Sequence, residues 1–145
     1  MRIVVIGIGN ALRGDDGAGV AVAERLHAVT CDEEPSRLIE AWEGADAAVL
    51  IDTVVSGARP GTVHRFDASD GPIAARELRS STHAIGLAET IELARALGRL
   101  PQRVVVYGIE GVSFEAGAPL SPEVVDAVNR LAATIEEEEL CTSAP

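Results

Sequence analysis

The sequence contains no lysine. All 12 basic residues are arginine, they face 23 aspartates and glutamates, and the formal net charge is −11. With no basic stretch there is nothing to neutralise phosphates or to draw the chain to anionic headgroups, so nucleic acid and membrane are not expected partners. A cationic partner or a metal cation suits the charge better. Aromatics are scarce, at 3%, whereas apolar residues reach 47%. The core must therefore be built from Val, Ile, Leu and Ala, a mixture that suits a sheet covered by helices. Only two cysteines occur, Cys31 and Cys141, and they form no C-x-x-C. A disulfide framework is not expected, and reduced thiols in the cytoplasm fit better. Long hydrophobic runs are missing as well. The opening run Ile3–Ile6 stops at Gly7, too short for a signal h-region or a membrane span. No Ser-His-Asp elbow, catalytic-cysteine arrangement or H-E-x-x-H is present, so the common protease mechanisms lack their parts.

What is present is an alternation of short apolar runs and helical-period segments, the pattern of stacked βα units. Residues 1–140 read as one domain, with 141–145 as a disordered tail. Ile3–Ile6 is expected to be a strand buried on both faces, followed by a turn at Gly7-Ile8-Gly9-Asn10. A helix is predicted from near Asp16 to about His27, with Val20, Ala23 and Leu26 inward. Val29–Cys31 is a short strand, and Ser36 can cap a helix through Trp42. Ala47–Ile51 is the second buried strand, ending at Asp52. Thr62–Asp67, with its polar His64 and Arg65, suggests an edge strand. Ser81 or Thr82 can cap a long helix to about Leu97, and Val104–Tyr107 is the last buried strand. A glycine-rich loop over residues 108–120 leads to Ser121-Pro122-Glu123, which opens a helix with the stripe Val124, Val128, Leu131 and Ile135. Glu136–Glu139 lies where the helix dipole disfavours negative charge, so a frayed, solvated end is expected there.

In a mostly parallel sheet the loops at the strands' carboxyl ends share one edge, and ligands bind there. Asn10, Asp15 and Asp16 follow the first strand, Asp52 follows the second buried one, His83 opens a helix and Glu110 follows the last strand. Two carboxylates and an imidazole on one edge make a plausible open metal site. Each has an ordinary alternative. Asp15 or Asp16 could cap the first helix, Asp52 could merely end a strand, and His83 could be an idle first-turn residue. Near a helix N-terminus, though, imidazole tends to stay neutral and able to ligate. The Gly7-x-Gly9 turn also invites a small nucleotide-binding, Rossmann-like reading. Leu12 stands where the third glycine of G-x-G-x-x-G belongs, and two aspartates sit where phosphate would go, although Asp32 is at a ribose-ligand distance.

Gly7-Ile8-Gly9-Asn10-Ala11-Leu12-Arg13-Gly14-Asp15-Asp16-Gly17-Ala18-Gly19-Val20 resembles the first turn and helix start of the [NiFe]-hydrogenase maturation endopeptidases. Ile51-Asp52-Thr53-Val54 is similar to that family's second acidic strand end, and Ser81-Thr82-His83-Ala84-Ile85-Gly86-Leu87 to its histidine motif. Gly108-Ile109-Glu110 with Pro119-Leu120-Ser121-Pro122 is similar to its last strand, loop and helix start. The resemblance implies a three-layer α/β/α fold, phosphorylase/hydrolase-like, around a twisted five-stranded, mostly parallel (mixed) sheet. It implies a cytoplasmic, monomeric enzyme that removes a C-terminal extension from the precursor of a [NiFe]-hydrogenase large subunit. Asp16, Asp52 and His83 would be both catalytic and metal-contacting. The Ni²⁺ would come with the substrate, and no organic cofactor is implied. A non-catalytic, metal-sensing chaperone of hydrogenase precursors would use the same residues. Two departures stand out. The family often has Glu in place of Asp16, so the ligand here lies about one methylene further back. Its usual Gly-Gly-Thr turn after the second strand is replaced by Asp32-Glu33-Glu34-Pro35, in a loop expected to touch the substrate.

Overall fold

A computed structural model describes residues 1–73 and 86–141. Among them, five strands form one sheet in the order β2-β1-β3-β5-β4: β1 (Ile3–Ile8), β2 (Val29–Cys31), β3 (Ala47–Val54), β4 (Val63–Asp67) and β5 (Arg103–Glu110). The first four in that order run parallel, and β4 pairs antiparallel with β5. Four α-helices of the described residues cover the sheet: α1 (Ala18–Arg25), α2 (Pro35–Trp42), α3 (Leu87–Ala96) and α4 (Pro122–Ile135).

The layers follow from strand alternation. Val5, Val49, Ile51, Val105, Tyr107 and Ile109 face one way and pack with α1 and α4. Ile6, Ile8, Leu50, Val54, Val104 and Val106 face the other way and pack with α2 and α3. The result is a three-layer α/β/α sandwich around a mixed sheet. Its aliphatic core needs little aromatic volume. Trp42 is buried on the α2 face, and its indole N–H reaches the Arg99 carbonyl at 2.9 Å, so no polar hydrogen is stranded.

Several boundaries differ from the sequence reading. The first helix starts at Ala18 and ends at Arg25, with a 3₁₀ turn over Gly14–Gly17 before it, because the Asp15 and Asp16 side chains are used elsewhere. The cap of α2 is Glu34, whose carboxylate accepts from the Ser36 and Arg37 amides; Pro35 takes the first helical position, where a missing N–H costs nothing. Strand β1 runs on to Ile8, β3 past Asp52 to Val54, and β5 through Glu110, because Asp52, Thr53 and Val54 pair in register with Gly108, Ile109 and Glu110. The expected edge strand and the stripe of α4 are as read. Glu136–Glu139 is not a frayed end. A π-helical turn over Glu136–Cys141 continues α4, and Glu139 is buried against Arg65, Arg103 and Tyr107. Cys141, expected to open the tail, ends this π-helical turn, and the expected caps Ser81 and Thr82, the candidate ligand His83 and the remaining tail residues 142–145 lie outside the described residues.

Candidate active site

Asp16 owes its place to the turn after β1. Gly9 has φ +140°, and a Cβ there would lie 2.0 Å from the Asp16 carbonyl oxygen, so only glycine lets the 3₁₀ turn come this close. The Asp16 side chain is fully buried and accepts the Asn10 amide at Oδ2, 3.0 Å away. Its own amide donates to the Arg13 carbonyl at 3.1 Å. The carboxylate thus sits over the carboxyl end of β1.

Asp52 stands on the neighbouring strand β3, opposite Gly108 of β5, and is 2% exposed. The Thr53 amide donates to its Oδ1 at 2.7 Å. Alternation puts Asp52 on the face of Leu50 and Val54, the face that α2 and α3 cover. Thr53 points the other way, and its hydroxyl donates to the Asp15 carbonyl at 2.7 Å, which ties the Asp15-Asp16 peptide to β3 beside Asp52. A close approach on the same side reinforces this: a Cβ on Gly19 of α1 would lie 2.3 Å from the Ile51 carbonyl oxygen. The fold therefore brings Asp16 and Asp52 to one edge, at the ends of adjacent parallel strands.

Two other candidates from the sequence are structural. The Asp15 carboxylate accepts four hydrogen bonds, from the amides of Val112, Ser113 and Ser121 and from the Ser121 hydroxyl, at 2.7 to 3.0 Å. Burial pushes this carboxyl up, but the four bonds outweigh it and hold it below its ordinary value. Asp15 caps no helix; it pins residues 112–121 to the turn before α1. Glu110 accepts from the Ser56 amide and hydroxyl and the Gly57 amide, and its carboxylate pairs with the His64 ring at 3.1 Å. Burial again pushes up, and these partners bring the carboxyl below its ordinary value. Nothing in the local sequence marks either assignment, although Ser121 opens α4 without capping it, because its hydroxyl is directed at Asp15 instead.

Among the described residues no group of three or more His, Cys, Asp or Glu is placed to hold a metal. Of the three ligands suggested by sequence, Asp16 and Asp52 are the described pair, and His83 lies outside. The nucleotide reading loses its footing here. The amides of Gly9, Asn10, Asp15 and Asp16 all donate to protein oxygens, and α1 starts only at Ala18, so the turn offers no phosphate cradle. Burial, and then the neighbouring Asp32, push the Cys31 thiol up, which disfavours its thiolate.

A family model for hydrogenase maturation proteases matches residues 24–138, most of the chain. The chain belongs to the hydrogenase maturation protease family. The match includes Asp52 and the position of His83 and begins after Asp16. The hydrogenase expression/formation protein HupD of Bradyrhizobium diazoefficiens is 32% identical over 138 residues, covering 88% of this chain and 72% of that protein. For HupD of Rhodobacter capsulatus the identity is 30%, and the chain spans 66% of that relative's length. The hydrogenase 2 maturation protease of Escherichia coli is 27% identical, covering 86% of this chain and 82% of the relative. Two solved structures align along almost the whole chain. The hydrogenase maturating endopeptidase HybD from E. coli does so with a TM-score of 0.73 and 26% identity, over 96% of this chain and 94% of that one. The maturation protease HycI from Thermococcus kodakarensis also gives 0.73, with 28% identity over 94% and 90%. The maturation protease fold and the three-layer sandwich described above are thus the same architecture.

Proposed function

We propose that this hydrogenase maturation protease removes the C-terminal extension from the precursor of a [NiFe]-hydrogenase large subunit after nickel insertion, working as a cytoplasmic monomer. Asp16, Asp52 and His83 would grip the Ni²⁺ that the substrate carries, and no organic cofactor takes part. The observation that supports this reading is that two buried carboxylates, Asp16 and Asp52, lie toward the carboxyl ends of adjacent parallel strands. Each accepts a backbone amide, at 3.0 and 2.7 Å, which fixes the oxygens before substrate arrives. His83 stands just upstream of Gly86, the cap of α3, and α3 packs on the face that Asp52 shares with Leu50 and Val54. Carboxylate and imidazole donors suit Ni²⁺, with geometry rather than raw affinity selecting the metal.

Asp16 is the candidate general base. Its carboxylate takes a proton from water while the water oxygen adds to the scissile carbonyl carbon. The proton then passes to the amine nitrogen as the C–N bond breaks. The nickel that the substrate brings supplies positive charge beside that carbonyl.

Intact mass of the nickel-loaded precursor, before and after incubation, tests the reading. The unmodified chain should shorten it, and Asp52→Asn or His83→Ala should slow this by about a hundredfold or more with the fold retained. Processing by either variant at the unmodified rate would overturn the assignment. A complex that forms without any loss of mass would favour a metal-sensing escort of the precursor instead.

A further inference from the structure

Asp16 and Asp52 are carried by elements of different rigidity. Asp52 lies inside β3, where Asp52, Thr53 and Val54 stay in register with Gly108, Ile109 and Glu110 of β5. Asp16 lies in the 3₁₀ turn Gly14–Gly17, which is part of no strand. The register of β1 with β3 ends at Gly7 and Ile51. Past that point the sheet ladder no longer fixes the turn against β3, and the spacing of the two carboxylates depends on cross-links between them.

Thr53 reaches both sides of that gap. It is fully buried and follows Asp52 directly in β3. Its amide donates to Asp52 Oδ1 at 2.7 Å, and its hydroxyl donates to the Asp15 carbonyl at 2.7 Å. That carbonyl and the Asp16 amide belong to one planar peptide unit. The Asp16 amide donates in turn to the Arg13 carbonyl at 3.1 Å. With both its carbonyl and its N–H held, the plane cannot rock, and the direction in which the Asp16 side chain leaves it is set. Thr53 itself is stiff. A β-branched side chain has few χ1 choices, and the methyl is closely packed: a Cβ on Gly111 would lie 2.8 Å from Thr53 Cγ2. The packing of the methyl fixes which way the hydroxyl faces.

We propose that Thr53 is a positioning residue for the reaction: its amide and hydroxyl together set the spacing of the Asp16 and Asp52 carboxylates, so that both meet the nickel ion that the substrate carries. The proposal rests on the protease reading above. Groups that orient ligands act through small displacements, and their removal typically costs ten- to a hundredfold in metal affinity or activity. Thr53→Val keeps the shape and the strand preference of the side chain, on a face shared with Ile51 and Ile109, and removes only the hydroxyl. Both carboxylates remain, and the Asp15-Asp16 peptide is released to turn.

The test compares the unmodified chain with Thr53→Val, Thr53→Ala and Thr53→Ser. It measures kcat for cleavage of the nickel-loaded large-subunit precursor, the Kd of each chain for Ni²⁺ alone, and the denaturation midpoint, the first two where every variant is fully folded. Thr53→Val and Thr53→Ala should lower kcat and raise Kd about ten- to a hundredfold. Thr53→Ser, which restores the hydroxyl, should stay within about threefold of the unmodified chain on both. A purely structural role would move the midpoint alone. Unmodified kcat and Kd in Thr53→Val would therefore overturn the proposal, and so would a Thr53→Ser chain as impaired as Thr53→Val. Should Thr53→Val fail to fold, Thr53→Ala against Thr53→Ser decides by the same criteria. Ni²⁺ affinity that follows the hydroxyl, without cleavage by the unmodified chain, would keep the positioning role and overturn the protease reading. Absence of both Ni²⁺ binding and cleavage in the unmodified chain would overturn both.

Discussion

Asp15 and Asp16 adjoin in the chain, and their carboxylates do different work. Asp15 is fully buried and meets four hydrogen-bond donors, while Asp16, equally buried, accepts the Asn10 amide in the turn after β1. Asp15→Asn keeps the shape but puts an amide NH₂ among donors. It should cost about 2–4 kcal/mol of stability, read as a lower denaturation midpoint with the same slope. An unchanged midpoint would contradict the staple role. The pH dependence has a definite sign. The folded carboxyl of Asp15 lies below its ordinary value, so its contribution is fully present above the unfolded pKa, about 4, and is lost as pH falls through the lower folded value. Glu110 adds in the same direction, so stability should drop on acidification through this range, and Asp15→Asn should flatten that drop. The sequence displayed both aspartates as candidates but could not separate them. Adjacent residues of a 3₁₀ turn point about a third of a turn apart, and only the partner loop, about a hundred residues downstream, decides which one it meets.

Elements showed the same limit. Strands β3 and β5 were legible as apolar runs, yet both run on through polar residues, because Val54 pairs with Glu110 in register and strand pairing there does not depend on apolar side chains. The run of four glutamates after α4 is the plainest failure. Charge blocks are usually solvated, but one helical turn buries one of the four, and Glu139 lands between Arg65 and Arg103, at 3.4 and 2.7 Å, and accepts from the Tyr107 hydroxyl at 2.9 Å. Burial raises the Glu139 carboxyl and these partners more than reverse it. The cations come from β4 and β5, far from the glutamates in sequence, so no local pattern could announce them. Glu139→Gln should lower stability by about 1–3 kcal/mol, whereas Glu137→Gln, at an exposed position, should leave it nearly unchanged. Equal midpoints for the two variants would show that the π-helical turn is not anchored by Glu139.

For the whole molecule, the aliphatic composition and the βα alternation pointed to a sheet covered by helices, the family resemblance implied its three layers, and the carboxyl edge of the parallel strands is where the candidate site was sought. That edge holds Asp16 and Asp52 because β1 and β3 are neighbours in the sheet although α1, β2 and α2 separate them in sequence. No helix among the described residues is long and apolar enough to cross a membrane. The central claim is that this edge closes on one divalent ion. Crystals of the chain exposed to Ni²⁺ and measured at the nickel absorption edge test it most directly. The account predicts a single strong anomalous peak about 2.0–2.2 Å from a carboxylate oxygen of Asp16, one of Asp52 and a ring nitrogen of His83. A peak elsewhere on the surface, or one at this edge that the His83 ring does not reach, would contradict it.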